Sequence, residues 1–120
     1  MMAKHLVFIF DKPLHANVRA QEFFDIILMA AAFEQRVSLL FSAEGVYAPL
    51  KGQQPEALGV KNNSAIFQAL SLYDVDDLYV EQAAIEARNV ELDQLLVPMT
   101  VLSQVNINQL LMKADHIFSF

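Results

Sequence analysis

Cysteine is absent from this 120-residue sequence. Its absence rules out disulfides, zinc–thiolate centres and any thiol nucleophile. Glycine is scarce, with three residues, and the spacing of Gly45, Gly52 and Gly59 matches no phosphate-binding signature. A nucleotide or flavin site also needs N–H groups at the turn after the first strand. That turn, Asp11-Lys12-Pro13-Leu14-His15-Ala16-Asn17, holds no glycine, serine or threonine. No cofactor is expected. Basic residues are few as well, eight against fourteen acids, for a net charge of −6. The two signs balance through Lys61, and beyond it only Arg88 and Lys113 face eight acids. Affinity for nucleic acid comes from Lys and Arg displacing counterions from phosphate, so direct nucleic-acid binding is not expected. The longest uncharged run, Gln94 to Met112, is interrupted by Pro98, Thr100, Ser103, Gln104, Asn106, Asn108 and Gln109. A membrane-spanning helix needs ~20 mostly apolar residues. The first residues lack the apolar core of a secretory signal, and a cytoplasmic location is the expectation.

What is present is apolar surface. Hydrophobic residues make up 55% of the chain, where ordinary domains run at about 45–50%. The length suits one domain, residues 1–120, and part of the excess is expected to cover a subunit interface. His5-Leu6-Val7-Phe8-Ile9-Phe10 reads as a buried strand, residues 16–34 as a helix, and residues 36–43 as a second strand. Glu44-Gly45 opens a short helix or turn. Residues 51–63, with two of the glycines and Pro55, read as a loop. Ser64 or Asn63 is the expected cap of a helix through residues 65–70. A third strand is expected at residues 78–80, a helix at 83–88 and a fourth strand at 99–102. A helix follows over 104–113 and a fifth strand at 116–120, with residues 89–97 ambiguous. Strands of continuous apolar character alternating with helices imply an α/β fold. The expected architecture is a mainly parallel sheet of about five strands with helices on both faces. Strand order is not readable from the pattern.

Candidate chemistry is thin. Ser42 lies late in a strand, but Phe41-Ser42-Ala43-Glu44 is not a nucleophile elbow. His5, His15 and His116 are scattered, without the spacing of metal ligands. Asp74, Asp76 and Asp77 resemble half a calcium loop without its glycine and distal glutamate, and read as a solvated turn. An enzymatic reading would require a polar pocket at the carboxyl ends of the first two strands, with a histidine in reach of Ser42 or Glu44. The helix of residues 16–34 is apolar over most of its circumference, and a helix covering one sheet face needs only one stripe. Some of Phe23, Phe24, Ile26, Ile27, Met29 and Phe33 are therefore expected to remain for a partner.

Several stretches, in this order and spacing, carry a resemblance. Ala43-Glu44-Gly45-Val46-Tyr47, Gly52-Gln53-Gln54-Pro55, Leu70-Ser71-Leu72-Tyr73-Asp74 and Ile117-Phe118-Ser119-Phe120 together resemble the TusC/DsrF family of DsrE-type sulfur-relay subunits. Two departures stand out. Relatives commonly have glycine at the position of Ser71, and a glycine in the first loop where this chain has Leu14-His15-Ala16. The resemblance implies a compact α/β fold and assembly with TusB-like and TusD-like subunits into a heterohexamer, two of each. It also implies that persulfide moves through a cysteine of the TusD-like subunit towards the enzyme that thiolates the wobble uridine of certain tRNAs, with TusA-like and TusE-like sulfur carriers as indirect partners. The resemblance is closest to TusC, with a DsrF-like role in sulfur oxidation as the alternative. Relay needs a thiolate, and this chain has none, so the resemblance implies a non-catalytic subunit. Glu44, Gly45, Val46 and Tyr47, with Gln53 and Tyr73, are the residues expected to shape a site or an interface.

Overall fold

The computed structural model describes residues 3–12, 18–50 and 64–119. Within them run β1 (His5–Phe10), α1 (Val18–Ala32), β2 (Arg36–Phe41), a 3₁₀ helix (Ala43–Tyr47), α2 (Ser64–Leu72), β3 (Asp77–Glu81) and α3 (Gln82–Ala87). A second 3₁₀ helix (Leu92–Gln94), β4 (Thr100–Leu102), α4 (Gln104–Lys113) and β5 (His116–Ser119) complete the order. All five strands are parallel, arranged β4-β3-β2-β1-β5. The strands march one way from β1 to β4, and the chain then crosses back to lay β5 beside β1. With right-handed crossovers this puts α1, α2 and α3 on one face and α4 on the other.

The side chains obey that division. In register, Phe8, Leu39 and Leu78 align across the sheet, as do Phe10, Phe41 and Val80. These residues share one core with Phe24 and Ile27 of α1, Phe67 and Leu70 of α2, and Ala84 and Ile85 of α3. Phe10 is the hub of a ring network, 5.0 Å from Phe24, 5.1 Å from Phe41 and 5.2 Å from Phe23 between centroids. Strand residues of opposite parity, including buried Val7 and Leu40, face the other way. There α4 covers them with buried Ile107.

Helix ends account for the shortage of glycine. Glu34, Asp74 and Asn89 take left-handed backbone angles, with φ of 62°, 59° and 53°. At α1, Glu34 N–H donates to Ala31 and Gln35 N–H to Ala30. The pattern repeats with Asp74 to Ser71 and Val75 to Leu70, and with Asn89 to Glu86 and Val90 to Ile85. These are Schellman caps, and in the last two the accompanying apolar pair joins the core. Helix α1 therefore stops at Ala32 and not at residue 34. Ser103 caps α4 through its hydroxyl, which accepts from Asn106 N–H at 3.3 Å. The ambiguous stretch 89–97 contains the second 3₁₀ helix, with a reciprocal Glu91–Gln94 capping box. It is tied to the chain after β2 by a Leu50–Leu95 bridge and by Leu96 N–H donating to Pro49 at 2.7 Å. The expected loop 51–63 lies outside the described residues, as does Asn63.

Candidate functional site

The carboxyl end of β2 is closed by its own chain. Ser42 N–H donates to Phe10 C=O at 2.9 Å, and Gly45 N–H to Ser42 C=O at 2.8 Å. The Ala43–Tyr47 helix thereby lies across the end of β1. Gly45 is buried there, and a side chain at this position would collide with the Phe10 carbonyl. Val46 and Ala48 are buried in the core. Ala43 bears a φ of 47°, and its N–H donates to the Glu81 carboxylate at 3.3 Å. Of the four residues Glu44 to Tyr47, the first and last are exposed and the middle two are packing. The Arg88 guanidinium stands 5.9 Å over the Tyr47 ring, within the range of a cation–π contact.

Among the described residues this arrangement does not assemble the enzymatic alternative. His5 and His116 open β1 and β5, so among the described residues the histidines lie at the end of the sheet opposite Ser42 and Glu44. His15 is outside the described residues, as is Gln53. No group of three or more His, Asp or Glu poised for a metal occurs among the described residues. Tyr73 does not join Tyr47 either. It ends α2 before the amino end of β3, while Tyr47 follows the carboxyl end of β2. A strand length, roughly 15–20 Å at ~3.3 Å per residue, separates those two ends.

A polar cluster that the sequence did not announce lies at the amino edge. His5 Nε2 is 2.8 Å from Ser38 Oγ. Ser38 is wholly buried, and its hydroxyl donates to Asp77 Oδ2 at 3.4 Å. Arg36 Nε pairs with the same oxygen at 3.0 Å. Asp77 is thus a paired strand residue and not part of a solvated turn. Parallel register brings Arg36 beside His5 and Asp77 beside Ser38. Burial, and then the Arg36 charge, hold the His5 ring below its usual range. Burial, and then the Asp77 carboxylate, hold the Tyr79 phenol above its usual range. The carboxylate accepts from serine and arginine, not from histidine, so this is no nucleophile–base–acid relay.

The apolar residues of α1 divide into two stripes. Phe24 and Ile27 are 1% and 0% exposed, so they are not among the residues left over, which corrects Phe24 as an interface candidate. Phe23 is half-buried, edge-on to Phe8 at 5.3 Å. Ile26, Met29 and Phe33 remain on the outside at 51%, 60% and 73% exposure.

A parallel five-stranded sheet with three helices on one face and a fourth behind it defines a doubly wound α/β domain. The chain belongs to the DsrE/DsrF-like family, whose model matches residues 4–120. It is 31% identical over 115 residues to the Protein TusC homolog of Aliivibrio fischeri, covering 96% of this chain and 98% of that one. It is 28% identical over 133 residues to the Intracellular sulfur oxidation protein DsrF of Allochromatium vinosum, covering 99% and 98%. The crystal structure of the ychN protein from E. coli superposes with a TM-score of 0.78 at 18% identity, covering 99% of this chain and all of that one. No helix among the described residues is long and apolar enough to cross a membrane.

Proposed function

We propose that this chain is a non-catalytic subunit of a TusBCD-like sulfur-relay complex. The observation that carries the reading is the absence of cysteine from a chain of the DsrE/DsrF-like family. Persulfide transfer requires a thiolate, so the transferring sulfur must sit on another subunit. The partners are TusB-like and TusD-like chains in a cytoplasmic heterohexamer with two of each, served by TusA-like and TusE-like carriers. The pathway is 2-thiolation of the tRNA wobble uridine, with the nucleic acid held by a downstream enzyme. The similarity to DsrF over nearly the whole chain favours one second reading, a subunit of a sulfur-oxidation complex.

The loop from Glu44 to Tyr47 then supports its neighbour's chemistry through form, holding Tyr47 as a rigid exposed surface. Exposed Ile26, Met29 and Phe33 supply apolar contact area at the partner interface. Co-expression with TusB-like and TusD-like partners tests the reading, with recovery of all three chains in one complex as the expected result. A chain that purifies alone in their presence refutes it. Loss of wobble thiolation on deletion, without loss of sulfur oxidation, separates the two pathways.

A further inference from the structure

We propose that the hollow between the sheet and α4, at the amino edge, binds a small organic carboxylate. The carboxylate meets Arg36 and Lys113, and its apolar body lies against Leu102 and Leu110. The hollow has a volume of about 270 Å³. Small-molecule sites run at ~300–1,000 Å³, so this one suits a compact molecule and is too small for a nucleotide.

Charge identifies the ligand class. The chain carries −6 overall, yet among the described residues no acidic side chain lines this hollow, and two cations do. Asp77, which pairs with Arg36, has its Oδ2 occupied by Arg36 Nε and the Ser38 hydroxyl. A guanidinium carries five N–H donors, and the bonds to Asp77 and to the Tyr79 oxygen use only part of that set. Lys113 has no ion pair among the described residues. Asn106 Oδ1 accepts from the Ser103 hydroxyl at 2.9 Å, leaving its amide nitrogen to donate. The phenol of Tyr79 remains protonated and adds a further donor. Donors and cations therefore converge beside Leu102 and Leu110, which supply an apolar wall. Of the other ionic groups nearby, His5 is engaged with Ser38, and Asp115 accepts from the backbone N–H of His5 at 2.7 Å.

This inference is independent of the relay reading, since it rests on the face opposite the exposed α1 stripe. Calorimetric titration of the full chain with sodium benzoate tests it, with acetate and inorganic phosphate as comparison probes. Benzoate binds saturably, acetate at least about tenfold more weakly for want of an apolar body, and phosphate more weakly than benzoate. Lys113→Gln and Leu110→Gln each weaken benzoate binding by about tenfold. Circular dichroism confirms that Lys113→Gln, at an exposed position, keeps the native fold. In NMR spectra the side-chain amides of Asn106 and Gln109 shift with benzoate. Absence of saturable benzoate binding overturns the proposal. So does binding that Lys113→Gln leaves unchanged, or phosphate binding tighter than benzoate.

Discussion

A β-carbon built on Gly45 would stand 1.9 Å from the carbonyl oxygen of Phe10. Because the opposing atom is backbone, no rotamer change relieves the clash, and either the 3₁₀ helix or β1 must move. Gly45→Ala is expected to cost at least about 1–3 kcal/mol, the range for overpacking a tight site. Urea unfolding should show a lower midpoint at an unchanged slope. A midpoint equal to that of the native chain would mean that the turn does not lie against β1.

The three left-handed caps predict stabilisation by the opposite substitution. Glu34 holds a φ of 62° with a side chain that the left-handed region disfavours, whereas asparagine tolerates it. Glu34→Gly is expected to raise stability by about 0.5–1 kcal/mol. Asn89→Gly should gain less. Thermal unfolding of the two variants side by side checks the order.

The two stripes of α1 predict opposite phenotypes. Phe24→Ala should destabilise the isolated chain by about 3–5 kcal/mol, since it empties a core position. Met29→Glu should change stability by less than about 0.5 kcal/mol, as surface substitutions do. On the reading proposed above, it should nevertheless prevent recovery of the complex with TusB-like and TusD-like partners. A Met29→Glu chain that still assembles would place the interface elsewhere.

Stability should also depend on pH through His5. Its folded-state proton affinity is lowered, by burial first and then by the Arg36 charge. The unfolded chain, with an ordinary histidine near 6.5, binds that proton more tightly. Stability therefore falls as pH drops below about 6.5, and this loss is complete once pH passes the lower folded value. His5→Asn should flatten the dependence between pH 7.5 and 5.5, measured as the urea midpoint at each pH. An unchanged slope in that variant would assign the dependence to another group.

The middle of the sheet was legible because β1 and β2 are apolar on both sides, as strands covered on both faces must be. The bounds of α4 were legible as well, since the helix expected over 104–113 is the one found. Phase was the harder matter. Phe24, Ile27 and Ala31 follow one helical stripe, and Ile26, Met29 and Phe33 follow another, displaced by two residues or about 200°. Nothing in an apolar sequence says which stripe meets the sheet. The polar cluster was out of reach for a different reason. Ser38 is 33 residues from His5 and 39 from Asp77, and only strand order and register bring the three together. Tyr47 and Tyr73 illustrate the converse, since residues grouped together by the family resemblance lie at opposite ends of the parallel strands β2 and β3.

The position of β5 beside β1 has a consequence during synthesis. The bond from His5 to Asp115 closes a separation of 110 residues, so β1 emerges first and obtains one of its two neighbours almost last. At translation rates of ~5–20 residues per second, that edge waits roughly 5–20 s without its partner. An unpaired, apolar strand edge is a template for pairing with other chains. Until β5 arrives, the nascent domain is a half-finished sheet with a sticky border, and its yield in the cell is a race between the ribosome and that border.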